Sequence, residues 1–260
     1  MPTRIKLLRK PELNEAVLIT GLPGIGLVGK LAVDYLLKQF KPEKIAEVYS
    51  DSFPPSVHTE KGIIQMIRDE LYLYEYKKKS YLFLAGPVQP SLDIRMASPS
   101  DHYEFAEKLA LLMKELKVKK IYTLAGINIG DERLEREPKI IAAATSKEFL
   151  KELTKAGAKT DKQAGLISGA AGLLPGIAFQ LGLEAACVMG ETNAKLVYGD
   201  HGAAKIVLEY LVNLFGFKVD MRNIKKESAN IEDAFAQLNK QLEEAKEADQ
   251  ECEDPLSYVR

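Results

Sequence analysis

Apolar residues fall in short blocks along the chain, and their spacing switches between strand-like and helix-like periods. Ala16-Val17-Leu18-Ile19 reads as a buried strand, followed by a helix from about Gly24 to Gln39 that Lys41-Pro42 ends. Ile45 to Tyr49 reads as a second strand, so these elements predict a βαβ unit. Three β-type runs, Ile63 to Ile67, Leu71 to Tyr76 and Tyr81 to Ala85, stand too close together for helical crossovers. They predict an antiparallel meander or hairpin attached to a parallel sheet. In the middle run Tyr72, Tyr74 and Tyr76 share one face, and Leu71, Leu73 and Glu75 share the other. The tyrosines fit a half-buried sheet face or a subunit contact.

A helix from about His102 to Leu116, opened by Ser100-Asp101, carries the stripe Phe105, Leu109, Leu112, Met113 and Leu116. Lys120 to Ala125 is the next strand. After a charged loop from Asp131 to Lys139 come a helix near Ser146 to Ala156 and a Gly/Ala run, Gly165 to Pro175, that starts a close-packed helix. Glu184 to Gly190 is the last parallel strand, and a helix from about His201 to Leu214 follows. The alternation predicts an α/β fold over residues 1–220, a mainly parallel sheet with the antiparallel meander near its edge. Residues 221–260 read as a separate C-terminal helical tail. There Ile231, Phe235, Leu238 and Leu242 recur at helical spacing over Asn230 to Lys246, capped by Ser228 or Asn230. Such a helix packs on its own domain or bundles with copies from other subunits. Acidic residues from Glu247 to Asp254 and a final Leu256-Ser257-Tyr258-Val259-Arg260 complete the tail.

Composition narrows the classes. The 260 residues are 46% hydrophobic, enough for a substantial core, and the formal charge of -1 gives no overall field for nucleic acid or an anionic membrane. Cys187 and Cys252 make neither a disulfide framework nor a metal-ligand spacing, and the first ten residues hold no signal-peptide core. Both features point to an intracellular, cytoplasmic protein. The longest weakly polar stretch, Gly165 to Leu183, is broken by six glycines or prolines.

The turn between the first strand and helix, Gly21 to Lys30, is the main candidate for chemistry. Gly24-Ile25-Gly26-Leu27-Val28-Gly29 matches G-x-G-x-x-G, and Asp51 follows at about the distance of a ribose-binding acid. A triphosphate loop fails because Leu31 stands where a magnesium-binding hydroxyl belongs, and the strand to Ala125 closes on Gly126 rather than an aspartate. The same glycines also suit a turn that only packs a helix against the sheet, and the turn's other side chains, Leu22, Pro23, Ile25, Leu27 and Val28, have no group for a pyrophosphate. Of the residues in the other strand-end loop, 126–131, Asn128 and Asp131 are the polar exceptions. Ser168 sits in Gly165-Leu166-Ile167-Ser168-Gly169, which is not the G-x-S-x-G nucleophile elbow. His58, His102 and His201 lack metal-ligand spacing, and His102 and His201 each follow an aspartate suited to capping a helix. Glu191, Asp200 and His201 are candidates to converge at a strand end as an acid/base set, with no nucleophile or substrate-fixing arginine beside them in the sequence. Phe53, beside Pro54-Pro55, is a loop anchor in the core or an exposed contact.

Taken together, Gly21 to Lys30, Ser52-Phe53-Pro54-Pro55, Gly86-Pro87-Val88-Gln89-Pro90, Gly126-Ile127-Asn128, Ser168 to Leu174 and Glu191-Thr192 resemble the archaeal branch of the proteasome assembly chaperone family. The resemblance spans about Ala16 to Phe217. It implies one domain of three-layer α/β/α arrangement, homo-oligomeric assembly, no enzymatic activity, no cofactor or metal, and binding to the α-ring of the 20S proteasome. It also implies docking through a C-terminal hydrophobic, tyrosine, any-residue tripeptide. Here the order is Tyr258-Val259-Arg260, with tyrosine one place early. The expected partner-binding residues are therefore Leu256, Tyr258, Val259 and Arg260, and the expected oligomer contact is Ile231, Phe235, Leu238 and Leu242. A scaffold for another protein and a dinucleotide-binding enzyme are the alternatives.

Overall fold

Leu18 and Ile19 are both fully buried although they point to opposite faces of one strand. A strand apolar on both faces belongs in the middle of a sheet covered on both sides, and the computed structural model puts it there. It describes residues 3–90, 98–161 and 165–222, with Ile224 and Lys226. The elements are β1 (Arg4–Leu7), β2 (Val17–Gly21), α1 (Val28–Phe40), β3 (Glu43–Tyr49), β4 (Val57–Glu60), β5 (Ile63–Met66), β6 (Asp69–Tyr76) and β7 (Lys79–Ala85). They continue with α2 (Pro99–Glu115), β8 (Lys120–Asn128), α3 (Glu132–Glu135), β9 (Ile140–Ala144), α4 (Lys147–Lys155), α5 (Ala170–Gln180), β10 (Glu184–Thr192) and α6 (His201–Phe215).

Eight strands form one sheet in the order β1-β3-β6-β7-β2-β8-β10-β9. The central four, β7, β2, β8 and β10, run parallel, and antiparallel strands flank them on both sides. Val33 and Leu36 of α1, Phe149 of α4, and Val207 and Leu211 of α6 pack on one face with Ile19. Phe105, Leu109 and Met113 of α2 and Leu174 of α5 pack on the other with Leu18. This is the expected three-layer α/β/α arrangement. Each fully buried large side chain contributes roughly 1.5–3 kcal/mol. The helix α2 begins at Pro99, one residue before Ser100, because Ser98 caps it: the Ser98 amide donates to Asp101 Oδ2 at 2.7 Å.

Three local expectations change. β3 does not neighbour β2, since β6 and β7 are inserted between them; the βαβ crossover therefore spans two extra strands. The run at residues 63–67 does not join the sheet. Its strand β5 pairs with β4 in a separate hairpin, where Ile63, Ile64 and Met66 stay exposed. Finally, β1 and β9 form at the sheet's two edges: β1 is short and charged, and β9 is rich in alanine, which has little strand preference.

The tyrosine face is half-buried within the subunit. Tyr74 stacks on Phe40 with ring centroids 4.2 Å apart, and Tyr76 meets Phe217 edge-on at 5.7 Å while its hydroxyl donates to the Gly216 carbonyl. Phe53 is a core anchor, packed edge-on against Phe105. The tail residues Ile231, Phe235, Leu238, Leu242, Leu256, Tyr258, Val259 and Arg260 lie outside the described residues.

Candidate functional site

The loops at the carboxyl ends of the parallel strands gather the motif residues into one edge. β2 ends in Gly21, and the turn that follows is a short 3-10 segment, Ile25–Leu27, leading into α1. Gly26 has φ 61° and Leu27 φ 49°, so two successive residues are left-handed. Glycine adopts that conformation freely, whereas leucine carries a cost of about 1–2 kcal/mol that the surrounding packing must offset.

The other glycines are there for contact. A Cβ at Gly29 would overlap the Leu124 carbonyl of β8, one at Gly126 would overlap the Ile25 carbonyl, and one at Gly26 would overlap Thr192 Oγ1. The turn is therefore pressed backbone to backbone onto β8 and against the Thr192 side chain of β10. Only Gly24 faces open space, and its backbone is extended.

Around the turn, polar groups are spent on holding loops together. Asp200 caps α6 through the Ala203 amide at 2.9 Å, accepts from Thr192 Oγ1 at 2.8 Å, and receives Arg133 Nε and Nη2 at 2.8 and 2.9 Å. Its own amide donates to the Gly26 carbonyl at 2.7 Å. All four of these side chains and backbone partners are buried or nearly so, which makes the forked ion pair a rivet between turn, α3 and α6. Glu191 is held in the same way by Arg136 at 2.5 and 3.1 Å and by the Lys139 amide at 2.8 Å. Burial pushes the Glu191 carboxyl up, but the Arg136 and Lys139 donors outweigh it and leave its pKa below the usual value. Gln89 bridges the turn to α5: its Nε2 donates to the Pro23 carbonyl at 2.5 Å and its Oε1 accepts from the Ala170 amide at 3.2 Å.

This arrangement answers the chemical candidates. Glu191 and Asp200 do lie at one strand end, yet each carboxylate is matched to an arginine, so they are structural anions rather than an acid/base pair. Arg133 and Arg136 were hidden in what the sequence presents as a solvated charged loop. Asp51 follows β3, three strand positions from β2, or about 14 Å at ordinary strand spacing; it cannot serve a ribose held at Gly24 to Gly29. Ser168 is exposed on the rim of a cavity of about 600 Å³ between the turn, β8, β9 and α5, and no histidine lines that cavity. Among the described residues no group of three or more His, Cys, Asp or Glu is placed to hold a metal ion. No helix of the described residues is long and apolar enough to cross a membrane.

What the edge does present is apolar surface. Ile25, Leu134, Leu166, Val197 and Tyr198 are exposed on its loops, with Tyr198 93% accessible, and the β4–β5 hairpin that rises from the same edge adds Val57, Ile63, Ile64 and Met66. Rigid frame and apolar loops suit contact with a macromolecule better than chemistry on a small one.

PbaB of Pyrococcus furiosus, an archaeal proteasome activator, is 27% identical and superposes with a TM-score of 0.82 over 92% of this chain and 99% of that one. PbaA of the same organism, an archaeal homolog of proteasome-assembly chaperone, is 27% identical with a TM-score of 0.72, covering 100% of both chains. An uncharacterised protein of Methanocaldococcus jannaschii is 34% identical over 251 residues, 95% of this chain and 93% of the relative. The PAC2 family model matches residues 18–239, from the buried strand β2 past α6, and the chain is a member of the PAC2 family.

Proposed function

We propose that this protein is a non-enzymatic homo-oligomer that binds the α-ring of an archaeal 20S proteasome, as an assembly chaperone or activator. The observation that carries the reading is the full-length likeness to PbaB and PbaA at 27% identity. The carboxyl edge supports it, because its charges are internally matched and its loops offer apolar side chains rather than a reacting group. In this reading Leu256, Tyr258, Val259 and Arg260 dock between α-subunits, with the tyrosine ring in a groove. Several such tails on one oligomer act together. Ile231, Phe235, Leu238 and Leu242 join the subunits. The protein works in the cytoplasm.

The test is capture of archaeal 20S particles by the full chain, with peptide hydrolysis measured alongside, and the same two assays after removal of Tyr258 to Arg260. Binding by the full chain and its loss on truncation is the expected result. Failure of the full chain to bind overturns the proteasome reading; undiminished binding by the truncated chain assigns the contact to the folded body instead.

A further inference from the structure

Asp69 opens β6 at the carboxyl edge, opposite Val48 of β3, and its side chain is wholly buried. Gly86, just past β7, lies against it: a Cβ there would overlap Asp69 Oδ1. Glycine at 86 thus makes room for a carboxyl group beneath the 86–90 loop. Neither carboxyl oxygen meets a partner at full hydrogen-bonding geometry. A carboxylate buried in that way is strongly disfavoured unless a cation joins it.

The cations of this corner are engaged with other groups. Arg68 lies 3.0 Å from Glu70 and 3.4 Å from Glu47, and Lys44 bridges the same two carboxylates at 3.0 Å. Lys30 of α1 holds Asp34 Oδ2 at 2.6 Å. Burial pushes the Asp69 carboxyl well above the usual carboxylate range; the Val88 amide and the Lys30 charge oppose that rise, and Glu70 adds to it.

We propose that Asp69 is carried as the neutral carboxylic acid in the folded protein and acts as a proton-dependent latch beneath the 86–90 loop. Ionisation draws water or a cation toward the carboxylate and unseats Gly86 to Val88. Gln89 is the next residue, so unseating the loop loosens its bridge between the Pro23 carbonyl and the Ala170 amide. The latch couples proton uptake to the rigidity of the edge where the glycine turn and α5 meet.

The sign follows from linkage. The folded state keeps a proton that the unfolded chain releases above about pH 4. The stabilisation is complete below that unfolded value and is lost as pH rises through the raised folded value. The melting temperature of the wild-type protein should fall by several degrees between about pH 5 and about pH 9, and Asp69→Asn should remove that part of the slope. Asp69→Ala should also remove it, even though the cavity it leaves lowers the melting temperature throughout. Hydrogen exchange at the Val88 and Gln89 amides, corrected for intrinsic rates, should quicken with pH in the wild type and not in Asp69→Asn. If neither variant folds, infrared spectroscopy of the wild type at neutral pH still decides, because a protonated-carboxyl band is required. Parallel pH profiles for wild type and variants, or absence of that band, overturn the proposal. A lost slope with unchanged exchange in the loop overturns the latch.

Discussion

Gly24 and Gly26 stand two residues apart in one turn and answer to different constraints. Gly26 is left-handed and pressed against Thr192 Oγ1, which itself donates to the buried Asp200 carboxylate. Gly26→Ala should therefore cost about 1–3 kcal/mol, while Gly24→Ala, extended and in open space, should stay within about 0.5 kcal/mol of wild type. Equilibrium denaturation of the two variants checks the contrast, and equal losses would mean that the turn is not seated as described. Glu191 gives a pH-dependent prediction at the same scale. Its folded pKa is lowered despite burial, because Arg136 and the Lys139 amide favour the charged form. Such a group adds stability that is present above the unfolded value near pH 4.3 and is lost as pH falls through the folded one. Glu191→Gln should be less stable than wild type at neutral pH, and the gap should close in acid. Thermal melts from about pH 3 to about pH 7 would show it, and a constant gap would rule out the ion pair as its source.

At the scale of elements, the β4–β5 hairpin is the piece least tied to the rest. Two strands of four residues are marginal without a surface to pack on, and Ile64 is 70% exposed. Ile64→Lys should leave the melting temperature within about 2 °C of wild type. A drop well beyond that, measured at the working concentration, would show that the hairpin is covered in solution. The sequence marks this run as a strand correctly, since its residues are β-formers. It does not reveal which sheet receives it, because period and propensity describe a strand's own faces and not its neighbours. Phe53 shows the converse: beside two prolines it reads first as a core anchor with an exposed contact as the alternative, and the ring of Phe105 settles it as core.

For the whole molecule, the described domain packs its helices on both faces of one sheet and leaves Ile25, Leu166, Val197, Tyr198 and the β4–β5 hairpin as exposed apolar groups at the carboxyl edge. The tail adds a separate prediction. The helical spacing of Ile231, Phe235, Leu238 and Leu242 in the sequence predicts a stripe whose burial would be worth roughly 1.5–3 kcal/mol per side chain. Replacing Phe235 and Leu238 together with Glu should lower the mass measured by light scattering. An unaltered mass with reduced stability would place the helix on its own subunit.

The sequence by itself determined the α/β alternation and the carboxyl-edge loops. Continuous apolar strands, helix-spaced stripes and glycine punctuation are local signals, written wherever a residue must be buried or a chain must turn. It also showed that the turn's side chains, Leu22, Pro23, Ile25, Leu27 and Val28, carry no group that would help hold a pyrophosphate. The tertiary structure decided what depends on neighbours distant in the chain. It inserted β6 and β7 between β2 and β3, which separates Asp51 from the glycine turn. It also turned Arg133 and Arg136 from a charged loop into the partners of Asp200 and Glu191. A carboxylate at a strand end looks the same in sequence whether it awaits a substrate or is already neutralised, because the cation that makes the difference is brought to it only by folding.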